Sequence, residues 1–205
     1  MIKASYWLAG VTVLLLAGAS GARADDSTKA EDWRWAASGG LVYVHPNINS
    51  PVVHAEADDN VTPIANLSYF VTSNIALHAA AAITRHKLTA NGSELGSVSI
   101  VPFNFLAQWH FLPAAKISPY VGAGLNHPLY YNQGGPVLNN VEHFHGRFGA
   151  IAEIGANFAV GRRTFVNVDW KHFWMKTDVI LKGGPTLETI SLDPDVVTIA
   201  YGIRF

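Results

Sequence analysis

Val98-Ser99-Ile100-Val101-Pro102-Phe103-Asn104-Phe105-Leu106-Ala107-Gln108-Trp109-His110-Phe111 is the stretch on which the reading of this chain turns. From Val101 every second residue is apolar or aromatic: Val101, Phe103, Phe105, Ala107, Trp109 and Phe111. Asn104, Gln108 and His110 fall between them. A helix gathers residues three and four apart, whereas a strand gathers alternate residues, so this pattern belongs to a strand. One face of that strand is greasy along its whole length and the other is mixed.

Seven further segments repeat the pattern. Trp33–Val44 carries Trp33, Trp35, Ala37, Gly39, Leu41 and Tyr43 on one face. Val61–Phe70 carries Ala65, Leu67 and Tyr69, and Ile75–Lys87 carries Ile75, Leu77, Ala79, Ala81 and Ile83. Ser118–Tyr131 carries Val121, Ala123 and Leu125. Arg147–Ala159 sets Phe148, Ala150, Ala152, Ile154, Ala156 and Phe158 opposite Arg147, Glu153 and Asn157. Thr164–Lys176 sets Val166, Val168, Trp170, His172 and Trp174 opposite Asn167, Asp169 and Lys171. Asp195–Phe205 sets Val197, Ile199, Tyr201, Ile203 and Phe205 opposite Thr198 and Arg204. Alanine favours helix, but the polar residues near the run Ala150–Ala159 recur at even spacing. The run Ala79–Ala82 has too few polar residues to decide.

Short and long connections alternate. Thr72–Asn74, Leu112–Ile117 and Val160–Arg163 are short; Pro46–Asn60, Leu88–Gly96, Asn132–His145 and Asp178–Pro194 are long. Charged residues make up 14% of the 205 residues, against about 25% in an ordinary soluble domain. A soluble sandwich would need a charged coat that these strands lack. No stretch after the N-terminus is apolar for long enough to be a spanning helix. Alternation resolves the conflict, because it hides a lipid-facing surface from hydropathy averaging. The pattern predicts an all-β fold: an eight-stranded antiparallel up-and-down transmembrane β-barrel with short periplasmic turns and long outer loops.

Lys3, the mostly apolar stretch Trp7 to Ala17 and the small-x-small triplet Ala22-Arg23-Ala24 read as an export signal cleaved after Ala24. Residues 1–24 are thus expected to be a signal peptide and residues 25–205 the barrel domain. Export without a single cysteine points to a bacterial envelope rather than to a disulfide-stapled secreted domain.

A net charge of -1 disfavours a nucleic-acid partner, which would need a basic surface. His143-Phe144-His145 puts two imidazoles on one strand face, but no third ligand accompanies them, so no metal is assigned. There is no Gly-x-Ser-x-Gly, His-Glu-x-x-His or phosphate loop. Neither catalysis nor a cofactor is expected.

Leu106-Ala107-Gln108-Trp109-His110-Phe111, followed by Pro119-Tyr120-Val121-Gly122-Ala123-Gly124-Leu125-Asn126, resembles the central signature of the OmpW family of outer-membrane proteins. Leu192-Asp193-Pro194 and the ending Tyr201-Gly202-Ile203-Arg204-Phe205 resemble it too. His127-Pro128 and Asp195 depart from the usual pattern. The resemblance implies a monomeric eight-stranded barrel in the outer membrane that passes small hydrophobic molecules. It also implies that Phe205 ends a signal read by the barrel-assembly machinery.

With both ends of the mature chain in the periplasm, inward residues sort by height. The lower half receives a polar plug of Arg34, Gln108, His110, Glu153, Asn157, Asn167, Asp169 and Arg204, whose opposite charges should pair. The upper half receives Val42, Val44, Ile64, Leu106, Ile151, Phe173, Met175 and Val196 as a hydrophobic funnel. Pro102 and Pro128 fall on the fourth and fifth strands. Lacking N–H groups, they could weaken the seam between those strands and let a solute leave sideways into lipid; otherwise both lie in loops above it. Two functions stay open: a channel for small apolar solutes, porin-like and passive, or a structural or receptor barrel with a closed lumen. Deleting Phe205 should lower the amount of protein inserted in the outer membrane, measured by membrane fractionation. Undiminished insertion would reduce Phe205 to an interfacial aromatic.

Overall fold

The computed structural model describes residues 33–205; the expected signal peptide lies outside the described residues. Thirteen strands form, in order, β1 Trp35–His45, β2 Ile48–Asn49, β3 Ala55–Ala57, β4 Asn60–Phe70, β5 Ile75–Ala82, β6 Thr84–Ala90, β7 Ser93–His110, β8 Ile117–Gly134, β9 Val141–Gly146, β10 Gly149–Ala159, β11 Thr164–Leu181, β12 Thr186–Leu192 and β13 Asp195–Arg204. Eight of them close a ring through β1, β4, β5, β7, β8, β10, β11 and β13, with β10 bonded to β11 and β13 back to β1. All pairings are antiparallel. The expected eight segments are therefore the eight barrel strands. The ring is tied at its start and end by paired bonds: Trp35 N donates to Phe205 O at 2.9 Å and Phe205 N to Trp35 O at 2.8 Å.

The faces follow the alternation. Leu41, Leu77, Phe105, Leu125, Ile154 and Ile199 come from six different barrel strands and are all more than half exposed. Their neighbours in sequence, Val42, Ala76, Leu106, Asn126, Glu153 and Thr198, are buried. An apolar exterior around a mixed interior inverts the ordering of a soluble protein and suits hydrocarbon. The alanine run Ala79–Ala82 is strand, not helix, because each alanine there takes its place in a ladder with β4.

Three of the expected outer loops are largely strand. Leu88–Gly96 is a hairpin whose turn, Asn91-Gly92, has φ of 50° and 76°, the pair of positive values that a two-residue hairpin turn demands. Residues 132–145 include β9, which pairs with the upper part of β11; Asp178–Pro194 includes β12, which pairs with β11 as well. Gly and Asn mark where the chain turns, but between those points the residues still alternate, so the strands run on above the ring. Arg147 belongs to this upper region rather than to the lumen. It holds Asp178 with two bonds of 2.9 Å; the Thr189 hydroxyl, and after it this pair, lower the Asp178 pKa below the usual carboxylate range.

One ladder is interrupted. Ala81 pairs with Phe103 and Thr84 with Ile100, yet the residues between, Ala82-Ile83 and Val101-Pro102, form no pair. Pro102 has no N–H to offer. On the other flank the β4–β5 ladder ends at Ile64 and Ala82, next to Pro63. There the Thr62 hydroxyl donates to the Ile83 carbonyl at 2.5 Å and Asn60 Nδ2 to the Arg85 carbonyl at 2.9 Å. Side chains thus replace backbone pairing around Ile83, where β5 passes into β6.

Gly124 shows how closely the ring is drawn. A Cβ there would stand 2.0 Å from the Phe105 carbonyl oxygen and 2.6 Å from Leu106 Cα. Gly124→Leu should therefore abolish the folded form that migrates apart from boiled protein in denaturing gels, while Gly92→Asn, at a turn with free space around it, should keep it. A closed ring leaves no edge for detergent to open. Wild-type protein that migrates identically with and without boiling would contradict the ring.

Candidate functional site

The lower lumen is built by inward residues of all eight barrel strands, and its ion cluster by β7, β10 and β11. Lys171 and Glu153 are direct cross-strand partners, and their side chains meet at 3.0 Å. Asp169, two residues before Lys171 on the same face, bonds the same ammonium through Oδ1. Exposure is 1% for Lys171, 4% for Glu153 and 5% for Asp169. Glu153 Oε2 also accepts from Gln108 Nε2 at 2.8 Å. One cation therefore neutralises part of two carboxylates in a site closed to solvent, where an unpaired ion would be very costly.

This corrects the expected pairing. The cation between Glu153 and Asp169 is Lys171, which the reading of heights left out of the plug, and not Arg34 or Arg204. Arg34 is exposed, just before β1 begins. Arg204 lies over the Phe165 ring at 5.4 Å. The sequence held a signal for Lys171, a basic residue on the inward face two places from Asp169. Its partner across the ladder became visible only with the register.

Below the ion cluster the lumen is nearly solid. Asn167 Nδ2 donates to Tyr120 Oη at 2.9 Å and to Asn157 Oδ1 at 3.0 Å. His110 lies between Phe70 and Tyr120, with ring centroids 5.2 and 4.8 Å away. The space left among these side chains is about 20 Å³. Tyr120 and Ser118 were missing from the expected plug, although both sit on the inward face of β8.

Above the cluster a cavity of about 90 Å³ remains, with Lys171 at its floor. Val42, Val44, Ile64, Phe173, Met175 and Val196, six of the expected funnel residues, line it. Leu106 and Ile151 do not; they are buried in the same apolar cluster behind the wall. Ala82, Thr84, Ile100 and Pro102, which flank the interrupted ladder, line the cavity as well. Asn104 and His86 add polar edges.

The expected seam at Pro102 and Pro128 needs correction. The two prolines are direct partners within the strands, not loop residues, and the β7–β8 register runs without a shift from Ser99–Tyr131 to His110–Tyr120. Two prolines facing each other need not cost a bond between their own strands, since residues in alternate pairs direct their N–H groups to the opposite neighbours. The loss on the Pro102 side falls on the ladder with β5 and β6.

A closed eight-stranded ring, apolar outside and sealed by polar side chains below, defines a β-barrel of the bacterial outer membrane. The chain belongs to the OmpW family, whose sequence profile matches residues 37–205. Outer membrane protein W of Escherichia coli strain K12 is 29% identical over 155 residues, covering 67% of this chain and 70% of its own. The dibenzothiophene metabolism operon protein PahQ of Pseudomonas aeruginosa is 25% identical over 158 residues, covering 74% of each chain. Among solved structures, the outer membrane protein OprG of Pseudomonas aeruginosa aligns with a TM-score of 0.68 at 15% identity, over 84% of this chain and 96% of its own. The protein is thus an outer-membrane protein of a Gram-negative bacterium, embedded in lipid by its strands.

Lys171→Met should destabilise the barrel by about 3–5 kcal/mol, because two buried carboxylates lose their counter-ion. Removing all three charges together, as Lys171→Met with Glu153→Gln and Asp169→Asn, should recover much of that loss. Urea midpoints of the folded form measure both; equal midpoints for wild type and Lys171→Met would show that the cluster contributes nothing.

Proposed function

We propose that this barrel is a channel for passive passage of small hydrophobic molecules, which enter the apolar cavity from outside and leave sideways into the membrane. The observation that carries this reading is the coincidence of the cavity with the interrupted ladder, since Ala82 and Pro102 within the gap, and Thr84 and Ile100 that bound it, all line the cavity. The downward route runs into Lys171, Glu153 and Asp169, and an apolar solute would have to separate buried ions there with nothing to offer in exchange. The sideways route needs only the displacement of Ile83 and its neighbours, where side chains have already taken over from backbone pairing. PahQ, a relative named for an operon of dibenzothiophene metabolism, supports an apolar solute, since dibenzothiophene is a fused aromatic. In this reading the protein works as a monomer, inserted by the barrel-assembly machinery, and its partners are lipid and solute. A closed structural or receptor barrel is disfavoured by the cavity, because a lumen packed throughout would leave no such space.

Cells that carry the protein should take up single-ring and fused-ring hydrocarbons faster than cells that lack it. Val42→Trp, which fills the cavity, should return uptake to the rate of cells without it. Cysteines at Ile83 and Val101, oxidised to a disulfide across the interrupted ladder, should block uptake until reduced. Equal uptake with and without the protein would overturn the passage itself. Undiminished uptake by the oxidised variant would overturn only the lateral route.

A further inference from the structure

The cavity is not uniformly apolar. Asn104 of β7 and Asn126 of β8 are direct register partners facing inward, with exposures of 5% and 0%. Asn126 Nδ2 donates to Asn104 Oδ1 at 2.6 Å. That single bond leaves the pair half used. Asn126 Oδ1 is buried without a partner, and among the described residues no hydrogen bond engages Asn104 Nδ2. Of the two, Asn104 lines the cavity, and Asn126 is its fully buried partner across the ladder. Exchanging oxygen and nitrogen in both amides only swaps the two roles, because the pair still keeps one spare donor and one spare acceptor. Buried amides left in this state are costly, and they normally have a partner.

We propose that the Asn104–Asn126 pair is a binding site for a hydroxyl group, so that the preferred solute is a small alcohol or phenol with an apolar body. This deepens the passage reading and rests on it. A hydroxyl both donates and accepts: it gives its proton to Asn126 Oδ1 and receives one from Asn104 Nδ2, while its apolar body lies against Val42, Ile64, Phe173 and Val196. Other polar groups fit less well. A carbonyl cannot donate and leaves Asn126 Oδ1 unpaired. A carboxylate meets Glu153 and Asp169, whose two charges outnumber that of Lys171. An ammonium cannot accept and leaves Asn104 Nδ2 idle. A plain hydrocarbon leaves both amides unmet, and a site built around a hydrogen bond discriminates against the analogue that lacks it.

The test uses purified protein in phospholipid nanodiscs and two fluorinated probes of similar shape: fluorobenzyl alcohol and fluoro-ethylbenzene, in which a methyl group replaces the hydroxyl. Fluorine NMR measures binding, with partition into empty nanodiscs subtracted. Wild type should bind the alcohol about tenfold more tightly, in line with one to two hydrogen bonds. Asn104→Leu with Asn126→Leu should erase the preference while keeping affinity for the hydrocarbon. Should that double variant fail to give a heat-modifiable barrel, the single Asn104→Val should still reduce the preference. Equal binding of the two probes by wild type would overturn the hydroxyl site and leave passage standing, with the amides simply hydrated. Absence of binding of either probe would overturn the hydroxyl site and the passage reading together.

Discussion

Hydrocarbon accepts no hydrogen bonds, and the rest of this structure follows from that. Each backbone N–H and C=O at membrane depth needs a partner within the protein. Eight strands meet the requirement only as a ring, and the ring is completed where β10 joins β11 and β13 joins β1. Once closed, the ring divides side chains into lipid-facing and lumen-facing sets. It also limits the lumen to a width that side chains can nearly fill.

Within that narrow space, polar and apolar layers do different work. The ion cluster of Lys171, Glu153 and Asp169, with Tyr120, Asn157 and Asn167 below, gives the lower half a polar network and almost no free volume. The upper half is held by dispersion and apolar burial instead, which leaves room for a cavity. The boundary lies at Lys171, which belongs to both layers.

The interrupted ladder is the exception to backbone pairing around the ring. Backbone pairing is lost around Ile83 next to Pro63 and Pro102, yet two carbonyls there keep partners, because Thr62 and Asn60 donate to Ile83 and Arg85. A side-chain bond of this kind can be released by one rotamer change, whereas breaking a ladder moves a whole strand. Around Ile83 the wall is therefore held by side-chain bonds between two backbone ladders.

Much of this was written in the chain alone. Alternation along Val101–Phe111 and its seven counterparts depends only on the two-residue period of a strand and on the two solvents it must face. Strand number, the outward surface and the inward position of Glu153, Asp169 and Gln108 could therefore be read without a structure. The family signature around Pro119–Asn126 named the class as well. Partners across the ladder could not be read, because register is set jointly by the turns and by closure of the ring. Lys171 finds Glu153, Asn104 finds Asn126 and Pro102 finds Pro128 only once every strand has its neighbour. The cavity and the gap beside Ile83 were likewise decided by tertiary structure, since empty space and missing pairs are properties of strands brought together, not of any one of them.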